Sequence, residues 1–139
     1  MDIQIYENIY NGLKSYMEEN TSGLYGASIV HYPTASPTYP YVVFEEIRNQ
    51  PNGHSYGEIP DVVANLGYRV RIFAKTKGSV SKMTIARSIA AAVNSFLTNY
   101  VGLKQVSFNP DPFAAEGEVY GVVTMYNTNY YENKQQIRK

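Results

Sequence analysis

The chain has no cysteine and no tryptophan among its 139 residues, and only two histidines. Without thiols there is no disulfide staple and no thiolate nucleophile, so a reducing compartment is its natural setting. His31 and His54 fall in different segments. Neither has a second histidine or a carboxylate at helical ligand spacing, so no zinc signature is present and no metal or other cofactor is expected. Net charge is also lacking, since 12 basic and 12 acidic residues cancel. A dedicated nucleic-acid binder normally carries a basic excess, because phosphate neutralisation supplies most of its affinity. No stretch approaches the roughly 18 consecutive apolar residues of a membrane span. The opening "MDIQIYENIY" has neither the basic flank nor the apolar centre of a secretory signal.

Catalytic motifs are missing too. Glu45 and Glu46 are neighbours in a strand-like run, so they point to opposite faces and cannot serve one substrate as acid and base. "GLYGAS" lacks the Lys-Ser/Thr and the strand-then-helix setting of a phosphate loop, and no Gly-x-Ser-x-Gly elbow occurs. Asp111, Glu116 and Glu118 lie in or beside a loop and read as solvated charges or interface partners. The expectation is a protein that is not an enzyme.

What is present is a chain with enough apolar residues, 44%, to build the core of a single domain, and with 14 tyrosines. Tyrosine has an apolar ring and a polar tip, which suits surfaces buried on assembly, although it is also a good strand former. Ile5, Ile9, Leu13 and either Tyr16 or Met17 recur at helical steps, predicting a helix over 2–19 that Asp2 caps and Gly23 ends. "GASIVHY" reads as a short strand at 26–32, and "PTASPTYP" as a connector. In "YPYVVFEEIRN" a strand over 41–48 begins apolar on both faces and ends in charge, as a strand does when it leaves the core. A Pro/Gly loop at 49–61 follows. Then "LGYRVRIFAK" alternates cleanly. Leu66, Tyr68, Val70, Ile72 and Ala74 point one way; Gly67, Arg69, Arg71, Phe73 and Lys75 point the other. The two strands predict an extended antiparallel hairpin.

A helix is expected over 80–99, with Ser79 as its cap. Its apolar stripe runs from Met83 through Ala86, Ile89, Ala90, Val93, Phe96 and Leu97, with Asn94 off the stripe. Strands at 103–109 and 118–131 complete the order α-β-β-β-α-β-β. The fold class is therefore α+β, a mainly antiparallel sheet with two helices on one face. Residues 1–132 form the domain and 133–139 a polar tail.

Three features carry functional readings. Arg69, Arg71 and Lys75 form either a solvated sheet face, a charged subunit interface, or a wall past which DNA slides. The Tyr120–Tyr130 ladder is either the inner sheet face or an assembly surface. The tail, with Lys134, Arg138 and Lys139, orders on a neighbour or not at all.

The N-terminal helix, the "YPYVVFEEI" strand, the Gly/Pro loop, the "YRVRIFAK" strand, the amphipathic helix and the closing Tyr-rich strand together resemble the tail-terminator, or tail-completion, proteins of long-tailed phages and phage-tail-like particles. The resemblance spans residues 2–132 and rests on element order and strand texture rather than on an invariant motif. It implies a hexameric ring on the head-proximal end of the tail tube, which stops polymerisation and offers a docking surface to the head–tail connector. It implies as partners other copies of the chain, the tube protein, the connector and, in a contractile tail, the sheath. DNA would pass the lumen without being gripped, which suits zero net charge. The setting would be the host bacterial cytoplasm during assembly and then the neck of the particle. The expected subunit or tube contacts are Gly53, His54, Tyr56 and Gly57 at the hairpin tip, Arg69, Arg71, Lys75, Tyr130 and Tyr131, and the C-terminal tail. Another neck component such as a head-closure protein, a tube subunit, and a small α+β enzyme or ligand-binding module are the alternatives.

Overall fold

The computed structural model describes residues 5–20, 23–32, 38–52, 63–110, 119–131 and 136–138, with backbone alone for 50–52, 63–64, 129–131 and 136–138. The elements are α1 (Ile5–Glu19), β1 (Ser28–Val30), β2 (Tyr41–Asn52), β3 (Val63–Lys75), α2 (Lys82–Ser95), a π-helical turn (Phe96–Val101), β4 (Lys104–Pro110), β5 (Val119–Tyr131) and β6 (Gln136–Arg138). This is the expected α+β order with one strand added at the end.

The sheet runs β1-β2-β3-β5-β4. Among the described residues only β1 pairs in parallel, through Ser28–Val30 beside Tyr41–Val43. β2 and β3 pair antiparallel from Tyr41↔Phe73 to Asn52↔Val63, with one bulge between Glu46 and Arg48, so the long hairpin is real. β3 fills one side of β5 from end to end. The other side of β5 is shared: β4 pairs with residues 122–127 and β6 with 129–131. Gln136–Arg138, expected to lie in a polar tail, are thus strand. Three polar-flanked residues carry no periodicity that would announce one.

Both helices cover one sheet face. Leu66, Tyr68, Val70, Ile72 and Ala74 of β3 are all buried there, with Val42, Phe44, Val122 and Tyr126 from the flanking strands. α1 supplies Ile5, Ile9, Leu13 and Met17, four positions spaced by one helical turn. α2 supplies Ile85, Ala86, Ile89, Ala90 and Val93. Each large side chain buried here contributes about 1.5–3 kcal/mol of transfer free energy, so removing any one is felt. The tyrosine ladder of β5 belongs to this face: Val122, Thr124, Tyr126 and Thr128 are buried.

The local expectations need five corrections. α2 is capped by Ser81, not Ser79: Ser81 Oγ accepts the Thr84 N–H at 3.2 Å. Ser79 is spent in a tight turn in which Lys77 and Val80 exchange both backbone hydrogen bonds at 3.0 Å. Met83, expected on the apolar stripe, is 51% exposed. Asn94, expected off it, accepts the Tyr126 hydroxyl at 2.9 Å through Oδ1. After α1 the left-handed residues are Tyr25 and Gly26, not Gly23. β2 also continues past the expected loop start at 49, through Pro51 to Asn52. β1 ends opposite Val43, so among the described residues β2 has no strand neighbour on its outer side there, the setting in which a strand tolerates proline. The expected Asp2 cap lies outside the described residues.

Among the residues whose side chains are described, the last buried positions towards the hairpin end are Leu66 on β3 and Thr128 on β5. β3 continues for three more residues to Val63, roughly 10 Å further along the sheet, flanked throughout by β2 and β5.

Candidate functional site

The face of the sheet away from the helices is built by the other half of the alternation. Register puts Glu45 opposite Arg69 and Tyr41 opposite Phe73. Arg69 Nη2 donates to Glu45 Oε2 at 2.7 Å, and Arg71 Nη1 stands 4.0 Å from Glu45 Oε1. The Arg71 guanidinium lies 5.1 Å from the Phe73 ring centre, and Lys75 Nζ lies 4.6 Å from that of Tyr39. Tyr41 stacks on Phe73 at 5.1 Å and meets Tyr39 edge-on at 5.4 Å. Tyr41, Val43, Phe73 and Val119 form a second buried cluster on this side, with Val30 and Tyr39 packed against it. The surface is therefore divided. Rings gather at its Lys75 end, and guanidinium groups stand towards the hairpin end.

Gly67 is the contact point for a further cation. A Cβ there would sit 3.2 Å from Arg48 Cβ and 3.3 Å from both Arg48 Nη2 and Ile47 Cγ1, closer than ordinary packing allows. The absent side chain lets Arg48 lie flat on the strand. In the same row Asn127 pairs with Gly67 on one side and Lys104 on the other. Arg48, Arg69, Arg71, Lys75 and Lys104 thus share one face, and Arg48 and Lys104 were not expected there. The bulge after Glu46 is what turns Arg48 onto it, and a bulge leaves no mark in a periodicity count.

The expected site residues separate into two groups. Arg69, Arg71 and Lys75 come together on the face away from the helices. Of the others, Tyr130, Tyr131 and Arg138 lie in the strands at the far end of the sheet. Asn52 faces Val63, Val63 faces Tyr131, and Tyr131 faces Gln136, so one row of backbone crosses four strands. Tyr130 pairs with Ile137 and Asn129 with Arg138. The connection from β2 to β3 and the one from β5 to β6 both leave the sheet at this end. Gly53, His54, Tyr56, Gly57, Lys134 and Lys139 lie outside the described residues.

Two further features were not legible in the sequence. The first is a knot of rings that ties α1 to β1 and β2. The Tyr6 O–H donates to the Phe44 carbonyl. Its single proton is then used, so His31 Nδ1, 2.6 Å from the same oxygen, is the donor in that contact. Tyr10 stacks on the His31 ring at 3.8 Å, and its hydroxyl donates to the Ile29 carbonyl at 3.1 Å. Burial, then the neighbouring Tyr10 and the charges of Glu45 and Glu46, push the Tyr6 phenol up to about 12. It is a neutral donor that fastens elements together.

The second feature is a groove of about 420 Å³ between α1 and the π-helical turn, lined by Gly12, Ser15, Tyr16, Glu19, Asn20, Phe96 and Tyr100. Tyr16, Phe96 and Tyr100 stand in a row, 5.2 and 5.8 Å between ring centres. Tyr100 is 79% exposed. Gly12 admits Phe96, whose Cζ would lie 3.4 Å from a Cβ at that position.

Among the described residues no group of three or more His, Asp or Glu side chains could hold a metal ion, and no helix is long and apolar enough to cross a membrane. The register also keeps Glu45 and Glu46 apart, one opposite Arg69 and the other opposite Tyr68. What the geometry offers is surface: a charged sheet face, a long four-stranded sheet end and an aromatic groove. No protein-family model matches the chain, and no curated protein matches it.

Proposed function

We propose that the protein is a tail terminator: a structural subunit that forms a hexameric ring on the head-proximal end of a phage or phage-like tail tube, stops the tube's growth and receives the head–tail connector. The observation that carries this reading is the long sheet end. Four strands, β2, β3, β5 and β6, run side by side there, and the β2–β3 connection and the C-terminal segment depart from it. A subunit that only had to fold would gain little from such an extension. One that must grasp a neighbour or a tube needs it, and exposed strand edges are a common means. The two edges of the sheet also differ. One is the three-residue parallel β1, and the other is β4 with β6 in line. Unlike edges suit heterologous contacts that close into rings. On this reading the chain works in the host bacterial cytoplasm and ends in the neck of the particle, with the tube, connector and, in a contractile tail, the sheath as partners.

Native mass spectrometry, alone and with tubes assembled from the cognate tube protein, tests the proposal. The expected result is hexameric rings, or monomers that become rings on tube ends. A monomer that ignores tubes overturns it.

A further inference from the structure

The groove between α1 and the π-helical turn has no part in the reading above, and its lining is chemically one-sided. Tyr16, Phe96 and Tyr100 line it as a row of rings. Glu19 is its carboxylate, and among the described residues no Lys, Arg or His lines it. Glu19 is exposed and has no partner among the described residues. Both helices bring their C-terminal turns here. Tyr16 and Glu19 lie in the last turn of α1, and Tyr100 lies in the π-helical turn that prolongs α2 to Val101. Neither of those turns holds a basic residue. Two negative helix ends, a carboxylate and three ring faces therefore meet in one groove, and each of them favours a cation.

We infer that the groove is a docking site for an arginine side chain of a partner protein. A guanidinium is flat, weakly hydrated and able to stack on a ring while its N–H groups reach a carboxylate, which a compact ammonium does less well. A free small molecule is normally enclosed over most of its surface. Tyr100, at 79% exposure, encloses nothing by itself. It is a ring left to be covered by the backbone that carries the arginine, and tyrosine with arginine is a common anchor of protein interfaces. The arginines of this chain with described side chains are already engaged. Arg69 and Arg71 face Glu45, Arg87 donates to the Tyr120 hydroxyl and stands over Phe108, and Arg48 lies against Gly67. The occupant is therefore a different protein, and a second copy could enter only through Arg138. The site does not depend on the terminator reading.

The full chain, isotope-labelled, is titrated with the peptide acetyl-Gly-Arg-Gly-amide and with its citrulline and lysine counterparts, while the backbone amide resonances of Gly12, Phe96 and Tyr100 are followed. Citrulline keeps the shape of arginine and loses the charge. The arginine peptide is expected to shift these amides saturably at millimolar concentration, and the citrulline and lysine peptides to bind at least about threefold more weakly. Glu19→Gln and Tyr100→Ala should each weaken the arginine peptide by about threefold or more. Both side chains are exposed, so thermal melting should stay as in the wild type. Glu7→Gln, which alters an exposed carboxylate of α1 outside the groove, should bind as the wild type does. Absence of a saturable shift, equal binding of citrulline, or full binding by Glu19→Gln overturns the cation site. Equal binding of the lysine peptide overturns the choice of guanidinium. Free L-arginine binding more tightly than the peptide overturns the protein source. Self-association that both Arg138→Gln and Glu19→Gln abolish, read by native mass spectrometry, makes the occupant a second copy and overturns the different partner.

Discussion

At the scale of single residues the structure is governed by phenols that are kept from ionising. Burial pushes Tyr126 up to about 12, partly opposed by a hydrogen bond with Thr124. Tyr6 is pushed up to about 12 as well. Tyr68 moves the same way, first through burial and then through Glu46 and Tyr6. Their ordinary value is 10.0. A phenol whose folded value is raised keeps its proton where the unfolded chain has lost it. Its contribution is complete below the unfolded value and disappears as pH rises through the folded one. Stability is therefore expected to fall between about pH 10 and about 12. Urea midpoints measured across that range should show it, and Tyr126→Phe, which cannot ionise, should flatten part of the fall. A flat wild-type midpoint would count against the argument. At neutral pH the same variant loses the 2.9 Å bond to Asn94 and should cost about 1–2 kcal/mol. None of this was visible in the composition. Tyrosine content showed that rings were plentiful, but which of them meet depends on pairs such as Tyr6 and His31, 25 residues apart.

At the scale of elements, legibility followed burial. β3 was readable in its alternation from Leu66 to Lys75, though it begins three residues earlier at Val63, because one face is wholly buried there and the other is not, so hydropathy alternates with the pleat. β5 gave the same signal more faintly, since threonine and tyrosine serve on both kinds of face. α2 was readable in its middle and wrong at its start. "GSVS" offers two serines, and only the Lys77–Val80 turn decides that the second is the cap. Ser81→Ala should accordingly cost about 1 kcal/mol in thermal or urea unfolding, and Ser79→Ala close to nothing. Of the functional surfaces, the Arg69–Arg71–Lys75 face was legible because it is the complement of the buried alternation. The groove was not, because it needs α1 and the π-helical turn side by side. The hairpin can be tested on its own terms. Asn52 faces Val63, so residues 53–62 can be replaced by a two-residue Asn-Gly turn without disturbing register. That variant should melt as the wild type does and fail to cap tubes. Unimpaired capping would remove the tip, with Gly53, His54, Tyr56 and Gly57, from the interface.

At the scale of the whole molecule, zero net charge conceals an uneven distribution among the described residues: Arg48, Arg69, Arg71, Lys75 and Lys104 share the sheet face away from the helices, and Glu7, Glu18 and Glu19 are exposed along α1. Assembly through such surfaces should weaken as salt shortens the screening length, to about 8 Å near physiological ionic strength and about 3 Å at 1 M. A ring that light scattering finds unchanged across that range would be held by apolar contacts instead.

The position of β5 bears on how the chain is made. It is nearly the last element to be synthesised, yet it lies inside the sheet, between β3 and β4. While residues 119–131 are still in the ribosome, β3 has an unpaired inner edge, and β4 has no strand to lie against. The domain therefore completes itself late, by insertion of its penultimate strand, and nascent chains spend most of synthesis with an exposed, apolar strand edge. A chain stopped before Val119 should be captured by chaperones or precipitate rather than accumulate as a smaller folded unit, and a ribosome stalled beyond Arg138 should be the first to carry protease-resistant protein.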